Sequence, residues 1–128
     1  EIKTPWIGSQ YDVMHATVEG ANSWTLGLKL LQPYIGTMDI KDFQWEKKDG
    51  KWKAEVVPLG EGMIDYKKYF TFIKELGIEG PFSIHYEYPL GGAENGNRVI
   101  TMRKEEVLAA MKKDRAALSK LLAEAGLK

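Results

Sequence analysis

The sequence predicts an α/β fold with parallel strands, in the element order β-α-β-(β-hairpin)-α-β-α. Three stretches of the 128-residue chain, at residues 7–15, 36–43 and 81–88, become ionic only towards their C-terminal ends. In parallel strands covered by helices, the middle residues are buried and apolar, and the carboxyl ends face a binding site. Apolar residues at helical spacing lie between these stretches, which favours a parallel sheet with right-handed crossovers.

The N-terminal third predicts a strand, a loop and a helix. Residues 1–6 are expected to be an entry loop, residues 7–15 the first strand with its outgoing turn, and residues 17–22 a polar loop. Ser23 is a candidate N-cap, and apolar residues at helical spacing follow it. Pro33 is expected to end this helix.

The middle of the chain predicts the central strand and an antiparallel hairpin. The central strand is expected over residues 36–43. Alternating residues at 43–45 and 51–57 flank Asp49-Gly50, and Asp-Gly is a strong signal for a hairpin turn. We therefore expect a hairpin inserted after the central strand, with a disordered charged loop as the alternative.

The C-terminal half predicts a helix, a strand, a loop and a long final helix. Asp65 is expected to cap a helix that ends at Gly77 and packs an aromatic stripe against the core. Residues 81–88 form the third predicted strand. A loop rich in Gly and Asn at residues 91–97 leads to a helix over roughly residues 104–125, with Leu108 on its apolar side.

Composition restricts the class of protein. Eighteen basic and eighteen acidic residues cancel, so the chain lacks the charge expected for a nucleic-acid or membrane partner. There are no cysteines, which excludes disulfides, thiolate nucleophiles and Cys-ligated zinc. No signal peptide or long apolar run is visible, so a cytoplasmic location is expected, although the chain begins at Glu1. Its length predicts a single domain, residues 1–128.

Ionisable residues cluster at the carboxyl ends of the three predicted strands. Residues i and i+2 of a strand share one face. We therefore expect Asp39 and Lys41 to point into the same site, and the same holds for His85 and Glu87. Glu87 lies on an otherwise apolar strand, where a carboxylate is costly to bury without a partner. The candidate site residues at these strand ends are Asp12, His15, Asp39, Lys41, His85 and Glu87.

Several of these residues have a purely structural alternative. His15 could cap the loop after its strand, and His85 could be a hydrogen-bonded core histidine. Lys41 and Asp42 could form an ion pair at a strand end. Glu61, between two glycines, is expected in a solvated corner, with a role in the site as the alternative.

Four segments resemble the xylose isomerase-like TIM barrels, a superfamily of sugar-phosphate isomerases and epimerases that also includes inosose dehydratases and endonuclease IV. The resemblance implies a partial (half) TIM barrel, in which the three strands correspond to the sixth, seventh and eighth of the C-terminal part. A full barrel has about 250 residues. The matching segments are Tyr11-Asp-Val-Met-His-Ala16, Ile40-Lys-Asp-Phe43, Pro58-Leu-Gly-Glu-Gly-Met-Ile-Asp65 and Gly80-Pro-Phe-Ser-Ile-His-Tyr-Glu-Tyr88.

The resemblance also implies a divalent metal site. Members of the superfamily typically bind one cation through two Glu, one Asp and one His at strand ends. Asp12 and Glu87 match the Asp and the last Glu, whereas Asp39 replaces the expected His and the first Glu lies on a strand outside this chain. Ligation by Asp12, Asp39 and Glu87 would favour Mg²⁺ or Mn²⁺ over Zn²⁺, with Co²⁺ as a further candidate.

The implied function is isomerisation or epimerisation of a sugar, a sugar phosphate or a related polyol, by proton transfer next to a carbonyl. Glu87, His15 and Lys41 are the candidate catalytic residues. The candidate substrate-binding residues are His15, Lys41, His85 and Trp45. The site is expected to be incomplete in this chain.

Three alternatives to this function stay open. One is an inosose-type dehydratase, and another is a non-catalytic carbohydrate-binding or structural fragment. Phosphodiester cleavage would need a histidine-rich metal cluster, and the chain has two histidines.

Trp45 and Trp52 are expected to pack across the hairpin, with an apolar wall over a sugar ring as the alternative. Open strand edges predict a homo-oligomer.

Overall fold

The structure, a computed structural model, describes residues 4 and 6–127. The predicted entry loop at residues 1–6 therefore lies largely outside the described residues. The strands of the described part are β1 (Ser9–Asp12), β2 (Ile35–Ile40), β3 (Asp42–Lys48), β4 (Lys51–Val57) and β5 (Phe82–Ile84). Its α-helices are α1 (Val13–Gly20), α2 (Trp24–Leu31), α3 (Tyr66–Glu75) and α4 (Lys104–Ala125).

Three of the strands form a parallel sheet with the order β1-β2-β5. The register places Asp12 opposite Asp39, and Ile40 opposite Ile84. The carboxyl ends of the three strands therefore meet at one edge of the sheet. Within the described residues the sheet is open rather than closed into a barrel. The predicted α/β class with parallel strands is confirmed, and the architecture is that of a partial barrel.

Strands β3 and β4 form the predicted antiparallel hairpin as a separate two-stranded sheet. Lys48 pairs with Lys51 across the turn. Asp49 and Gly50 both have positive φ angles, 52° and 77°. This combination is required by the tight two-residue turn that matches strand twist, and Asp-Gly tolerates it. The prediction of a hairpin is confirmed.

The prediction of a loop at residues 17–22 is wrong, because α1 already occupies residues 13–20. Asp12 caps this helix by accepting a hydrogen bond from the backbone N–H of His15 at 3.1 Å. Val13 and Met14 are buried, so the first turn is held by packing as well as by its cap. The first strand is shorter than predicted, and His15 lies in the first turn of a helix.

Two further strands are shorter than predicted. The stretch expected as one strand at residues 36–43 is divided, because β2 ends at Ile40 and β3 begins at Asp42. The stretch at residues 81–88 pairs with β2 only over residues 82–84. The His85 N–H still donates to the Ile40 carbonyl at 3.0 Å. Since β2 ends there, later residues have no strand beside them.

The helix boundaries follow the predicted caps with one exception. Asp65 caps α3 by accepting from the Lys68 N–H at 2.9 Å. Ser23 is at the N-cap position of α2, but its side chain makes no capping hydrogen bond. Its φ and ψ are −77° and −6°, whereas a capping side chain requires an extended backbone. Gly126 ends α4 with a φ of 67°.

The main core lies between the sheet and the helices, and α3 supplies most of its aromatic rings. Tyr66, Tyr69 and Phe70 are buried, and the ring of Tyr69 stacks on Tyr11 with centroids 6.4 Å apart. These rings pack beneath Met38 and Ile40 of the central strand. The end of β2 therefore packs against a layer of buried aromatic rings.

The long helix α4 departs from its predicted faces at two positions. Leu108 belongs to the predicted apolar side but is exposed. Basic and acidic residues interleave along this helix, a pattern that predicts a solvated face, but Asp114 within that pattern is buried. Burial raises the pKa of Asp114 above its usual value.

None of the helices in the described part of the chain is long and apolar enough to cross a membrane.

Candidate functional site

The buried ammonium of Lys41 lies at the centre of the site. Lys41 follows the last residue of β2 and is only 4% exposed. Its Nζ is 2.9 Å from both carboxylate oxygens of Glu87 and 3.0 Å from Oδ2 of Asp12. One cation therefore joins a residue at the end of β1 to a residue that follows β5.

His15 extends this cluster towards solvent. Its Nε2 is 3.2 Å from Nζ of Lys41 and 3.5 Å from Oδ2 of Asp12. An ammonium can only donate hydrogen bonds, so Nε2 of His15 is the acceptor in the contact with Lys41. The ring itself is exposed, which leaves its Nδ1 edge available to a bound molecule.

Asp39 forms a second branch of the same network. Nε2 of Gln10 donates to both Asp39 oxygens, at 2.7 and 2.8 Å. Nε2 of His85 is 3.2 Å from Oδ1 of Asp39, and its Nδ1 is 3.4 Å from Oε1 of Glu87. His85 thus bridges two carboxylates. Together with Lys41, it connects all six predicted strand-end residues.

Gln10 is the residue of this network that the sequence analysis missed. It lies two residues before Asp12 on β1, so both side chains are on the same face of the strand. This spacing could have identified it, because the same rule paired Asp39 with Lys41. A neutral amide does not stand out in a pattern of ionisable residues, which is why the charges alone do not reveal it.

Asp42 points away from Lys41 and holds the loop that follows the hairpin. Its carboxylate accepts hydrogen bonds from four backbone N–H groups, at 2.9–3.2 Å. The alternative of a Lys41–Asp42 ion pair is therefore wrong, because adjacent residues project to opposite sides of extended backbone. The four donors are the N–H groups of Phe43, Gly60, Gly62 and Ile64.

The Leu-Gly-Glu-Gly segment has a structural reason at its second glycine. A side chain at Gly62 would collide with the carboxylate of Asp42 and the carbonyl of Phe43. Glu61 between the glycines points to the surface, where it forms an ion pair with Lys113 of α4. This segment closes the loop on Asp42, which in turn fixes the backbone next to Lys41.

Opposite charges shift the pKa values of the central pair away from each other. Burial acts to lower the pKa of Lys41, but the hydrogen bonds and charges of Glu87 and Asp12 outweigh it and raise the pKa. Partial burial acts to raise the pKa of Glu87, but Lys41 and His85 outweigh it and lower the pKa. Both groups are therefore ionised at neutral pH.

These shifts predict how stability depends on pH. Because the folded pKa of Glu87 is lowered, its stabilising contribution is present above about pH 4.5 and is lost as the pH falls through the folded value. The contribution of Lys41 is lost only above about pH 10.5, since its folded pKa is raised. Urea unfolding between about pH 2 and 7 should show a steeper acid loss in wild type than in Glu87→Gln. Superimposable profiles would contradict the pairing.

Trp45 lies outside this hydrogen-bonded network. Its ring packs edge-on against Phe43, with centroids 5.7 Å apart. Across the hairpin it is opposite Ala54, so Trp52 is its diagonal neighbour rather than its direct partner. The two tryptophans are exposed and line a surface groove of about 390 Å³. A substrate-binding role for Trp45 stays a prediction.

The arrangement of donors can be compared with what a divalent ion requires. Among residues 4 and 6–127, no group of three or more His, Asp or Glu side chains is placed to hold a metal. Asp12 and Glu87 both hold the Lys41 ammonium, and Asp39 holds Gln10 and His85. The three carboxylates do not fit a divalent ion in this arrangement, because each already has a partner. Metal ligation by Asp12, Asp39 and Glu87 stays a prediction.

A parallel sheet with polar and charged side chains at the carboxyl ends of its strands defines a class of α/β proteins whose sites lie at that edge. Comparisons with known proteins make the class specific. The family model described as xylose isomerase-like TIM barrel matches residues 1–112. The chain belongs to this family.

One similar solved structure is a xylose isomerase domain protein from Planctomyces limnophilus. The two structures superpose with a TM-score of 0.65 at 22% sequence identity, which shows the shared fold. The match covers 97% of this chain but 40% of the other, so the chain spans less than half of that protein. None of the curated proteins compared with the chain matches it. The assignment of β1, β2 and β5 to the sixth, seventh and eighth barrel strands stays a prediction.

Proposed function

We propose that the chain acts in the isomerisation or epimerisation of a sugar, a sugar phosphate or a similar polyol, by proton transfer next to a carbonyl. The observation that carries this proposal is the position of Glu87. Its side chain is 45% exposed at the edge where the strands end, while its oxygens are held by a buried ammonium. An ionised, accessible and oriented carboxylate can accept a proton from carbon, and its lowered pKa makes it a weaker base than a free Glu side chain. Membership of the xylose isomerase-like family supports this reaction class.

The tasks in this reaction divide among Glu87, the two histidines and Lys41. In the isomerisation, Glu87 removes the proton from the carbon next to the carbonyl and returns it to the carbonyl carbon, while the hydroxyl proton of the first carbon moves to the carbonyl oxygen. His15 is exposed and donates a hydrogen bond to a substrate oxygen, whereas both ring nitrogens of His85 contact carboxylates, so His85 positions Asp39 and Glu87. Lys41 is too buried to touch a substrate, so it acts as a positioning residue that keeps Glu87 ionised and oriented. This differs from the direct role that the sequence suggested for Lys41.

Solvent exchange tests the proposal even when the product of the reaction is not identified. Wild type is incubated with a panel of aldoses, ketoses and their phosphates in D₂O, and NMR follows deuterium incorporation next to the carbonyl. Glu87→Gln is expected to slow this exchange by about 100-fold or more, because a positioned base contributes that much. Glu124→Gln, at an exposed position of α4, is the matched control and should retain the wild-type rate.

Two results would contradict the proposal. One is a wild-type chain that exchanges no member of the panel, and the other is Glu87→Gln with the wild-type rate. If wild type, with Glu87 intact, removes water from an inositol-like ketone, the result would instead indicate an inosose-type dehydratase. The exposed groove at Trp45 and Trp52 favours a second candidate, a carbohydrate-binding fragment without catalysis. Sugar titration that perturbs the tryptophan fluorescence of a chain without exchange activity would support that candidate.

We infer that a second copy of the chain covers an open strand edge of the sheet. Within the described residues β1 and β5 pair on one side only. Exposed apolar side chains lie near the start of β1, at the end of α2 and just before β2, namely Ile7, Leu30 and Tyr34. Open strand edges beside apolar surface favour pairing with another chain.

A cytoplasmic location, a sugar or polyol partner, and the lack of nucleic-acid or membrane partners stay predictions.

Sedimentation velocity tests this assembly. Wild type is expected to sediment as a dimer or larger species at about 50 μM, and Leu30→Glu should shift it towards monomer because a charge would be buried at the contact. Val99→Glu, at an exposed apolar residue outside this surface, is the control and should leave the distribution unchanged. A folded wild-type monomer at all concentrations would contradict the inference.

A further inference from the structure

The position of the Lys41 ammonium is the one that a bound cation would take. Nζ lies within 3.0 Å of three oxygens from two carboxylates, and Nε2 of His15 is 3.2 Å away. Divalent ions bind carboxylate oxygens at about 2.0–2.6 Å. A metal bound between Asp12 and Glu87 would therefore overlap with the ammonium. The two cations exclude each other at this pair of carboxylates.

The ammonium is fixed in this position by its backbone. Lys41 follows the central strand directly, and its carbonyl accepts a 2.7 Å hydrogen bond from the buried hydroxyl of Tyr66. The side chain is buried, so it cannot swing into solvent without breaking its contacts with Asp12, Glu87 and His15. An exposed surface lysine could move aside for a metal ion, but the ammonium of Lys41 is buried and contacts Asp12, Glu87 and His15.

The third predicted ligand is occupied for a separate reason. Both oxygens of Asp39 accept hydrogen bonds from Gln10, and one of them also contacts His85. A metal at this carboxylate would displace a neutral amide as well as the histidine. Removal of Lys41 alone would free Asp12 and Glu87 but leave Asp39 occupied.

We propose that Lys41 supplies the cation of this site from within the chain, in place of a divalent metal ion, and that removal of Lys41 converts Asp12 and Glu87 into a metal-binding pair. The proposal concerns the occupant of the carboxylates and stands apart from the reaction proposed above. It predicts that wild type does not respond to divalent ions and that a variant without the ammonium does.

Thermal unfolding with Mn²⁺ tests this proposal, because a ligand that binds only the folded state raises the midpoint. The midpoint of wild type should be unchanged by about 1 mM Mn²⁺. The midpoint of Lys41→Met should rise, by about 8 °C at a Mn²⁺ concentration about 100 times its Kd. The double variant Lys41→Met/Glu87→Gln should lose this response, and Lys48→Met, at a surface ion pair, should behave like wild type.

Two outcomes would overturn the proposal. One is a wild-type midpoint that rises with Mn²⁺ and no longer rises in Glu87→Gln, because the carboxylates would then bind metal beside Lys41. The other is a folded Lys41→Met variant without any response to Mn²⁺. If Lys41→Met does not fold, paramagnetic broadening in wild type decides instead. Mn²⁺ should leave the ring signals of His15 and His85 sharp, and selective broadening of both would refute the proposal.

Discussion

Asp42→Ala is expected to lower the free energy of unfolding by about 4 kcal/mol, the largest loss of stability among the substitutions considered. The carboxylate is 1% exposed and accepts hydrogen bonds from four backbone N–H groups. Hydrogen bonds to a charged group contribute about 1.5–3 kcal/mol each, and they do not add fully when they share one acceptor. Alanine would leave these donors without a partner inside the protein.

Urea unfolding at neutral pH measures this loss. Asp42→Asn serves as the matched control, because it keeps the shape but replaces one acceptor oxygen with a donor amide. It should lie between wild type and Asp42→Ala. If Asp42→Ala loses less than about 1 kcal/mol, the loop at residues 58–65 is not held by this carboxylate.

Lys41→Met is expected to lower the free energy of unfolding by about 3 kcal/mol at neutral pH. Breaking a buried ion pair by removing one partner costs about 3–5 kcal/mol, since the remaining charge is buried without compensation. The lower end applies here because Glu87 is 45% exposed and regains water. The loss should shrink at acid pH, because Lys41 holds the pKa of Glu87 below its usual value and protonation of Glu87 removes the charge that Lys41 compensates.

A surface lysine provides the comparison for this variant. Lys48 contacts Glu46 and Glu55 at 3.3 and 2.8 Å on the hairpin, but its side chain is 46% exposed, against 4% for Lys41. Lys48→Met should change stability little, because solvent screens exposed ion pairs. Equal effects of Lys41→Met and Lys48→Met in urea unfolding would show that burial does not strengthen the central cluster.

The sequence predicted those parts of the fold that depend on local chemistry. Asp49-Gly50 identified the hairpin because few residue pairs tolerate two positive φ angles. The meeting of Asp12, Lys41 and Glu87 was predictable, since parallel strands bring their carboxyl ends to one edge. Helix α1 was missed because the polar residues and Gly20 within residues 17–22 favour a loop, although the helix begins earlier, at Val13.

The sequence could not predict which partner each carboxylate takes. Periodicity gives the face of a strand, but the occupant of the space between Asp12 and Glu87 depends on side-chain length and on where β2 ends. Lys41 reaches this space because β2 ends one residue earlier, at Ile40. The amide of Gln10 likewise competes for Asp39 through a pairing register that only the structure shows.

A double-mutant cycle between Lys41 and Glu87 tests most directly the claim that the buried ammonium organises the strand-end carboxylates. The free energy of unfolding is measured at neutral pH for wild type, Lys41→Met, Glu87→Gln and the double variant. Contacting residues of one network couple by about 0.5–3 kcal/mol, and we expect a favourable coupling of about 1–2 kcal/mol here. Effects that add without coupling would mean that the two groups do not interact in solution, which would contradict the central claim.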